Sequence, residues 1–403
     1  MTETAFNPAN VTRDDLVASA RALAPMIRDR AEQAEKDRRI SDEVFAELRA
    51  GGFFRTLQPR RFGGLEFEPA TAARVILELS SACGSTGWVA SCAMSHQWIV
   101  AQFPIQCQEE IWAERSDQLT VSSFAPTGDC VRAEGGFRLT GTWAYASGCD
   151  HADFCLLGVV MPPEDDKGSS TPGFVIVPIS DCQKIDDWDT MGLAATGSHA
   201  VTLKDVFVPV HRSIALVAIG TSDTPGQAAF DTNLGRYQLF SVGAHCLATN
   251  AVGCLQGAFD HFVSALREWE TRGMAVGGGT RVMDYPAVQM RVGRAGAALK
   301  AAKALIFDQM EHSRRIVMDG GERLDRAERI DNRISQSFAV QLALQGLDEL
   351  WGAAGSSGIR NAEIVQRAWR DAHAVAHHVS FNWDAVSAMY GQQILGMEPQ
   401  GMY

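Results

Sequence analysis

The fold is decided by the stretch Gly141-Thr142-Trp143-Ala144-Tyr145-Ala146-Ser147-Gly148-Cys149-Asp150-His151. Apolar and polar residues alternate before it, over residues 136–140, and a mostly apolar run follows it over residues 154–160. The period of two predicts that both flanks are strands, paired in a half-buried sheet. Between them, two aromatic residues precede a small hydroxyl residue, Ser147, and a glycine. Such a turn suits a flat π-system with one hydroxyl aimed at its edge. The alternative is a β-corner whose aromatic side chains fill the core.

Composition is typical of a globular enzyme. The chain has 403 residues, 46% of them apolar and 21% charged, which predicts two or three structural units around a substantial core. The net charge of −12, without a Lys/Arg-rich run, argues against nucleic acid or anionic membranes as partners. The nine cysteines form no CxxC pair, which disfavours zinc and disulfide scaffolds. With a polar N-terminus and no membrane-spanning apolar run, we expect a cytoplasmic enzyme without a metal.

Three regions of the chain differ in pattern. Residues 1–118 show apolar residues at helical spacing and predict a helical domain, whose third and fourth helices cover about 69–81 and 89–101. Residues 119–216 carry short alternating runs broken by turns, which predict a small β-barrel or sandwich. Residues 217–403 return to long helices. These predict an up-down four-helix bundle, with helices over about 239–268, 286–319, 323–354 and 359–389.

No nicotinamide-binding fold is predicted. The glycines of Gly352-Ala353-Ala354-Gly355-Ser356-Ser357-Gly358 lie between helices. They do not follow a strand that opens a βαβ unit, so the dinucleotide-binding fingerprint fails on context. The sequence also contains no P-loop, zincin or serine-hydrolase motif.

In this α, β, α order the chain resembles the acyl-CoA dehydrogenase fold. Within it, the chain resembles the oxygenase components of two-component (group D) flavin-dependent monooxygenases, the group of 3-hydroxy-9,10-secosteroid monooxygenase and p-hydroxyphenylacetate hydroxylase. The resemblance covers nearly the whole chain and implies an α+β fold with an N-terminal helical domain, a central β-barrel or sandwich and a C-terminal four-helix bundle. Six segments carry it: Cys83-Gly84-Ser85-Thr86-Gly87-Trp88 with His96 downstream, Ser122-Ser123-Phe124-Ala125-Pro126, Ser147-Gly148-Cys149-Asp150-His151-Ala152, Gly192-Leu193-Ala194-Ala195-Thr196-Gly197-Ser198, Lys204-Asp205-Val206-Phe207-Val208-Pro209, and Trp369-Arg370-Asp371-Ala372-His373-Ala374 with His378.

The resemblance implies a flavin ring between the β-domain and the helices. Ser147 matches the family position whose hydroxyl hydrogen-bonds near flavin N5. Arg272 and Gly355, the latter in the turn from Trp351 to Gly358, are expected to reach the flavin phosphate of a neighbouring subunit. A homotetramer is therefore expected. The remaining cofactor-binding residues that the resemblance implies are Ser123, Phe124, Ala125, Trp143, Thr196, Gly197 and Ser198.

One departure from the acyl-CoA dehydrogenases bears on the chemistry. Those enzymes keep a glutamate base in or near the last bundle helix, after the Arg-Asp-Ala stretch. Here that region reads His373-Ala374-Val375-Ala376-His377-His378-Val379-Ser380-Phe381-Asn382, with no carboxylate. Removal of the α-proton of a thioester needs such a base within hydrogen-bond reach, whereas the hydroxylases of this group carry an imidazole there.

The reaction implied by the resemblance uses reduced FMN or FAD and O2. It proceeds via a C4a-hydroperoxyflavin and hydroxylates an aromatic substrate, a phenol or an indole derivative. Ser147 is expected to limit peroxide loss at N5, and His96 to lie near the bound oxygen. His378 is the first candidate for acid/base work at the substrate, because a reference pKa of about 6.5 suits proton transfer near neutrality. The expected substrate contacts are Trp88, His96, Tyr145, His378 and Phe381, although an aromatic residue taken singly is more often part of the core.

Electrons are expected from a separate NAD(P)H:flavin reductase, delivered as diffusible reduced flavin. Three alternatives remain open at this point: an N-oxygenase acting on an amine, an acyl-CoA dehydrogenase-like flavoprotein with a displaced base, and a non-catalytic flavin-binding oligomer. Oxygen-dependent product formation, dye reduction by an acyl-CoA, and flavin binding without product would distinguish them.

Overall fold

The structure, a computed structural model, describes residues 7–163, 168–270 and 281–403. The N-terminal part consists of helices around an apolar core. Helix α4 begins five residues before the predicted start at 89. Its Gly87 packs against Ser80 of α3, where any Cβ would collide with the serine hydroxyl. The helices of this part are α1 (Arg13–Asp37), α2 (Asp42–Ala50), α3 (Pro69–Ala82), α4 (Gly84–Val100) and α5 (Ile105–Trp112).

The central part is a sandwich, in the described residues, of two four-stranded sheets with strand orders β1-β4-β5-β8 and β2-β3-β7-β6. Leu139 and Trp143 of one sheet pack against Cys155 and Leu157 of the other. Strand β4 is buried along most of its length, because its opposite face packs against the helical core through Phe154 and Leu156. The strands are β1 (Thr120–Ser123), β2 (Asp129–Ala133), β3 (Gly136–Trp143), β4 (Phe154–Met161), β5 (Thr171–Pro178), β6 (Gln183–Ile185), β7 (Ala200–Pro209) and β8 (Ser213–Ala215).

The predicted pairing of the two strands that flank residues 141–151 is wrong. Strand β3 pairs with β2 and β7, whereas β4 pairs with β1 and β5. The segment 144–153 therefore crosses from one sheet to the other. Periodicity predicts strands but not their partners, since pairing depends on residues distant in sequence. The crossing places Ser147 at the edge of the sandwich that faces the helices.

The C-terminal part is helical, and α7, α8, α9 and α10 pack together as a bundle. The predicted order of helical, β and helical regions is confirmed. Boundaries at 118/119 and 216/217 remain our proposal; they lie before β1 and at the start of α6. The helices are α6 (Leu216–Thr221), α7 (Leu239–Leu266), α8 (Pro286–Arg314), α9 (Arg326–Ala353), α10 (Ile364–Ala376) and α11 (Trp383–Ile394). Among the described residues, none of the helices is both long and apolar enough to cross a membrane.

The predicted last helix, 359–389, is in fact two helices, α10 and α11. His378 adopts an extended backbone (φ −65°, ψ 140°) and its side chain accepts a hydrogen bond from the N–H of Ser380. Asn382 then caps α11 by accepting from the N–H of Ala385. Side chains that bond to nearby backbone N–H groups compete with helical hydrogen bonds, and two of them interrupt the helix here. His378 therefore lies in the break and not on a helix face.

Candidate active site

A row of buried hydroxyl groups surrounds Ser147. Its Oγ lies 2.7 Å from Ser198 Oγ, which lies 2.6 Å from Thr196 Oγ1. The Thr196 hydroxyl donates to the carbonyl oxygen of Leu193 at 2.7 Å. The backbone N–H of Gly148 donates to the Thr196 carbonyl at 2.8 Å, which ties the two loops together. Three residues that the resemblance assigned to one flavin edge are thus in direct contact.

Trp88 of α4 joins this row to His378. Its indole Nε1–H donates to Ser147 Oγ at 3.1 Å, and its ring meets the His378 ring edge-on with centroids 5.5 Å apart. Ser147 and His378 are 231 positions apart in the sequence numbering, yet a single indole touches both. The structure therefore brings the predicted N5 hydroxyl and the predicted substrate imidazole together around Trp88. We call the region between Ser147, Trp88 and His378 the cleft.

The protonation of His378 follows from its surroundings. Its Nδ1 accepts the N–H of Ser380 at 3.2 Å, so in the neutral ring the proton is on Nε2. Burial, and secondarily the positive charge of Arg333, lower the pKa of His378 to about 4. The ring is therefore neutral near pH 7 and presents an N–H donor. This geometry supports hydrogen bonding to a substrate oxygen over removal of its proton.

His96 has both ring nitrogens occupied. Nδ1 lies 3.1 Å from the carbonyl oxygen of Thr120, and Nε2 lies 2.8 Å from Ser122 Oγ. A carbonyl only accepts, so Nδ1 carries the proton and Nε2 accepts from the Ser122 hydroxyl. Burial lowers the pKa of His96 to about 4. These bonds favour a positioning role for His96, which orients Ser122, over direct proton transfer.

The cleft follows one face of α4. Trp88, Cys92 and His96 occupy successive turns of that face, and they keep 7%, 8% and 5% of their surface exposed in a helix that is otherwise almost completely buried. At the end of β1, Phe124 is 39% exposed and packs on the Phe174 ring at 4.7 Å. The region where α4 meets the sandwich thus carries aromatic and small neutral groups.

Sequence reasoning missed the polar groups behind His378. Arg333 of α9 is 4% exposed and donates to the carbonyl oxygen of Ser380 at 2.7 Å and to Gln336 Oε1 at 3.0 Å. Burial lowers the pKa of Arg333 to about 10. Gln336 Nε2 in turn lies 2.9 Å from Nδ1 of the buried His245. The available signal was Arg333 itself, a charge at helical spacing from the apolar residues Ile330, Val340 and Leu347.

Tyr145 is 69% exposed and adopts a left-handed backbone, φ +67°, which is strained for a bulky residue. Its carbonyl oxygen accepts the N–H of Ser147 at 2.9 Å, and its ring meets Trp188 edge-on at 6.0 Å. The Ser147 side chain is thus buried, whereas the Tyr145 ring lies at the surface, and its contact with a substrate stays a prediction.

Trp143 and Phe381 lie deeper than expected. Trp143 is fully buried in the sandwich, where its Nε1–H donates to the Gly158 carbonyl at 2.8 Å. Phe381 is 1% exposed and lies behind His378, with ring centroids 6.0 Å apart. Both positions favour a core role: Trp143 supports the turn, and Phe381 packs against the imidazole without facing the cleft.

Trp143→Phe is expected to lower the free energy of unfolding by about 1–3 kcal/mol, because the buried Gly158 carbonyl loses its donor. Thermal or urea unfolding measures this change. Affinity for reduced flavin, measured alongside, should stay unchanged; a loss of affinity at unchanged stability would return Trp143 to the cofactor site.

Comparison with known proteins agrees with this arrangement. Residues 12–115 match the acyl-CoA dehydrogenase N-terminal domain and residues 245–383 the acyl-CoA dehydrogenase C-terminal domain. The chain is 38% identical over 392 residues to the FADH(2)-dependent resorcinol hydroxylase, oxygenase component, of Rhizobium sp. (strain MTP-10005), covering 96% of each chain. The chain belongs to the oxygenase components of flavin-dependent monooxygenases.

Solved structures of similar proteins have the same fold. The 3-HSA hydroxylase from Rhodococcus sp. RHA1 superposes with a TM-score of 0.91 at 30% identity, over 96% of this chain and 98% of that one. XiaF from Streptomyces sp., in complex with FADH2 and glycerol, superposes with a TM-score of 0.87 at 28% identity, over 96% and 97% of the two chains. The expected family and fold are confirmed.

The cleft of this monooxygenase fits a flavin ring. Ser147 Oγ uses its proton and one lone pair within the protein and keeps a second lone pair for a ligand. Ser123 donates to the Ala144 carbonyl at 2.6 Å and so joins the two loops on either side, while Ala125 and Phe124 are exposed beside them. Neutral hydroxyls next to exposed aromatic surface suit a planar heterocycle with a polar edge.

The remaining predicted cofactor residues lie at the margins. Gly197 has φ +52°, and a Cβ there would come within 2.9 Å of Asp150 Oδ2, so glycine is required for the turn that carries Thr196 and Ser198. Gly355 lies in the turn before α10, whereas His378 follows the end of α10, roughly 20 Å away for a helix of this length. Its phosphate role stays a prediction. Arg272 lies outside the described residues.

Proposed function

We propose that this oxygenase hydroxylates a small aromatic compound, a phenol or an indole derivative, with reduced FMN or FAD delivered by a separate NAD(P)H:flavin reductase. Bound reduced flavin supplies the electrons that activate O2, of which one atom enters the product and the other leaves as water. The contact series Ser147–Trp88–His378 carries this proposal. It puts a hydroxyl for the flavin edge and an imidazole for the substrate on either side of one indole.

Each group of this chain has a defined task. His378 Nε2–H donates to the substrate oxygen and orients the ring that is to be hydroxylated. Ser147 would accept a hydrogen bond from N5 of a bound reduced flavin, and holding that proton would slow loss of hydrogen peroxide. The buried α4 face and the aromatic groups around it exclude water, which strengthens both hydrogen bonds.

Isotopically labelled O2 tests this function. With the reductase, NADH and a panel of phenols and indoles, we expect a product that carries one labelled oxygen atom on a ring carbon. Label on nitrogen would instead identify an N-oxygenase. Dye reduction by an acyl-CoA without added reductant would identify a dehydrogenase, for which residues 377–382 supply no carboxylate.

We further propose that the chain assembles as a homotetramer through its helical bundle. An apolar groove lies between α9 and α11, where the Phe338 and Trp383 rings stack at 5.7 Å with Phe338 40% exposed. Exposed apolar patches of this kind mark contact sites between proteins, and a second copy of the bundle would cover this one. Leu305, Ile334 and Tyr390 complete the groove.

Phe338→Glu is expected to shift the mass in light scattering from that of a tetramer towards that of the 43.7 kDa monomer, because a charge in an apolar interface is left unpaired. Val131→Glu, an exposed apolar residue of β2, is the matched control and should keep the tetramer. Equal masses for both variants would exclude this groove as a subunit contact.

All nine cysteines lie in described residues and are unpaired. Free thiols persist in reducing compartments, so we propose a cytoplasmic location for the enzyme.

A further inference from the structure

The hydrogen bonds in the row of hydroxyl groups around Ser147 all point in the same direction. Ser147, Ser198 and Thr196 are 8%, 3% and 2% exposed, so bulk water does not compete for their hydrogen bonds. A hydroxyl group has one proton to donate and can accept two. The direction of each bond can therefore be worked out from the ends of the row, where the partners have fixed roles.

At one end the Leu193 carbonyl can only accept, so the Thr196 hydroxyl donates its proton to that carbonyl. Thr196 Oγ1 must then accept from Ser198, and Ser198 Oγ must accept from Ser147. At the other end the Trp88 N–H can only donate, and it donates to Ser147 Oγ. The hydroxyl proton of Ser147 thus points to Ser198, and the one hydrogen-bonding position that its oxygen leaves unused is a lone pair.

We propose that Thr196 and Ser198 are positioning residues that make Ser147 an acceptor, so that the site selects reduced flavin, whose N5 carries a proton, over oxidised flavin, whose N5 only accepts. This inference rests on the proposed function, which places flavin N5 at Ser147. Two acceptors facing each other gain no hydrogen bond and lose hydration. Oxidised flavin is therefore disfavoured before any reaction occurs, and the spent cofactor leaves.

The Leu193 end of the row is itself fixed. The backbone N–H of Leu193 donates to the buried Asp371 Oδ1 at 2.7 Å, and the Trp188 indole donates to the Leu193 carbonyl at 3.1 Å. Leu193 has φ +54°, a conformation that these bonds maintain. The acceptor that gives the row its direction is thus held by α10 and by the Trp188 loop.

Removing one hydroxyl of the row should allow the hydroxyl proton of Ser147 to point in another direction. In Ser198→Ala that proton has lost its acceptor and can turn to N5 of oxidised flavin. In Thr196→Val, Ser198 is free to donate to Ser147, with the same result in part of the molecules. Thr196→Ser keeps the hydroxyl and should restore the direction.

The test measures dissociation constants of oxidised FMN and FAD, and of the same flavins reduced anaerobically, for the wild type and the three variants. We expect the ratio of oxidised to reduced constants to fall about tenfold in Ser198→Ala, the value of one hydrogen bond, and by less in Thr196→Val. The midpoint potential of the bound two-electron couple should fall by about 30 mV per tenfold change. Thr196→Ser should match the wild type in both measurements.

Thermal unfolding of each variant establishes that it is folded. The directional role is overturned if the wild type binds reduced flavin tightly but the ratio of oxidised to reduced dissociation constants is unchanged in folded Ser198→Ala and Thr196→Val. That result leaves the proposed function intact. Wild type that binds no reduced flavin overturns the proposed function itself. Equal ratios in Thr196→Ser, which keeps the hydroxyl, and Thr196→Val, which lacks it, would show that the Thr196 hydroxyl does not control the selectivity and would also contradict the proposal.

Discussion

His378→Ala is expected to lower the rate of substrate hydroxylation by about 10–100-fold, the value of one buried hydrogen bond to the substrate. The reason is that we propose the Nε2–H of His378 as the donor to the substrate, since its Nδ1 is taken by the Ser380 N–H. Reduced-flavin affinity should change little, because Ser147 and Trp88 remain. Rapid mixing of the reduced complex with O2 and substrate separates the two effects.

The matched control is His377→Ala. His377 is the adjacent imidazole, but it is exposed and its Nδ1 bonds to the His373 carbonyl at 2.8 Å. The His377→Ala variant should hydroxylate the substrate at the wild-type rate. His378→Gln, which retains an N–H donor of similar reach, should recover part of the loss. Equal activity of His378→Ala and His377→Ala would remove His378 from the mechanism.

The pH profile gives an independent check on His378. Burial and Arg333 lower its pKa to about 4, so protonation sets in only well below neutrality. Between about pH 5.5 and 8 the ring stays neutral, and we expect no inflection near the ordinary histidine value of about 6.5. Arg333 is the charged group that faces the imidazole from α9, through Ser380. A bell-shaped profile centred near the ordinary value would contradict this environment.

Ser147→Ala is expected to raise the release of hydrogen peroxide per NADH consumed, with its rate constant increased about tenfold for the loss of one buried hydrogen bond. The change removes the proposed partner of flavin N5 and leaves the Trp88 N–H without its acceptor. Peroxide assay together with product yield measures the coupling. Substrate affinity should be preserved, since His378 is unchanged.

Ser213→Ala serves as the control for Ser147→Ala. Ser213 lies at the start of β8, and its hydroxyl bonds to the Val210 carbonyl at the surface. The Ser213→Ala variant should form product and peroxide in the wild-type proportion. If Ser147→Ala formed product and peroxide in the wild-type proportion, the hydroxyl would have no part in retaining the N5 proton.

Local chemistry made much of the fold predictable. Ser41 and Gly52 bound α2, because a serine accepts the first free N–H groups and a glycine takes up the left-handed backbone, here φ +71°. Period-two alternation located β3 and β7 in the same way. The Ser147–Gly148 turn also belongs here, since Gly148 has φ +79° and few other residues tolerate it.

The site required contacts between distant residues. Ser147 approaches Ser198 and Trp88 from 51 and 59 positions away, and Arg333 reaches the Ser380 carbonyl across 47. No local pattern encodes such distances. The resemblance to a family named the residues Ser147 and His378, but their protonation depends on which groups surround them.

The sequence by itself determined the order of helices and strands, the turns at Gly52 and Gly148, and the hydroxyl and imidazole on which the proposed chemistry depends. Only the tertiary structure decided that β3 and β4 lie in different sheets, that His378 interrupts a helix, and that the Ser147 proton points away from the cleft. The physical reason is range: capping, periodicity and backbone preference act within a few residues, whereas strand partners, burial and hydrogen-bond direction are set by groups that meet only when the chain has folded.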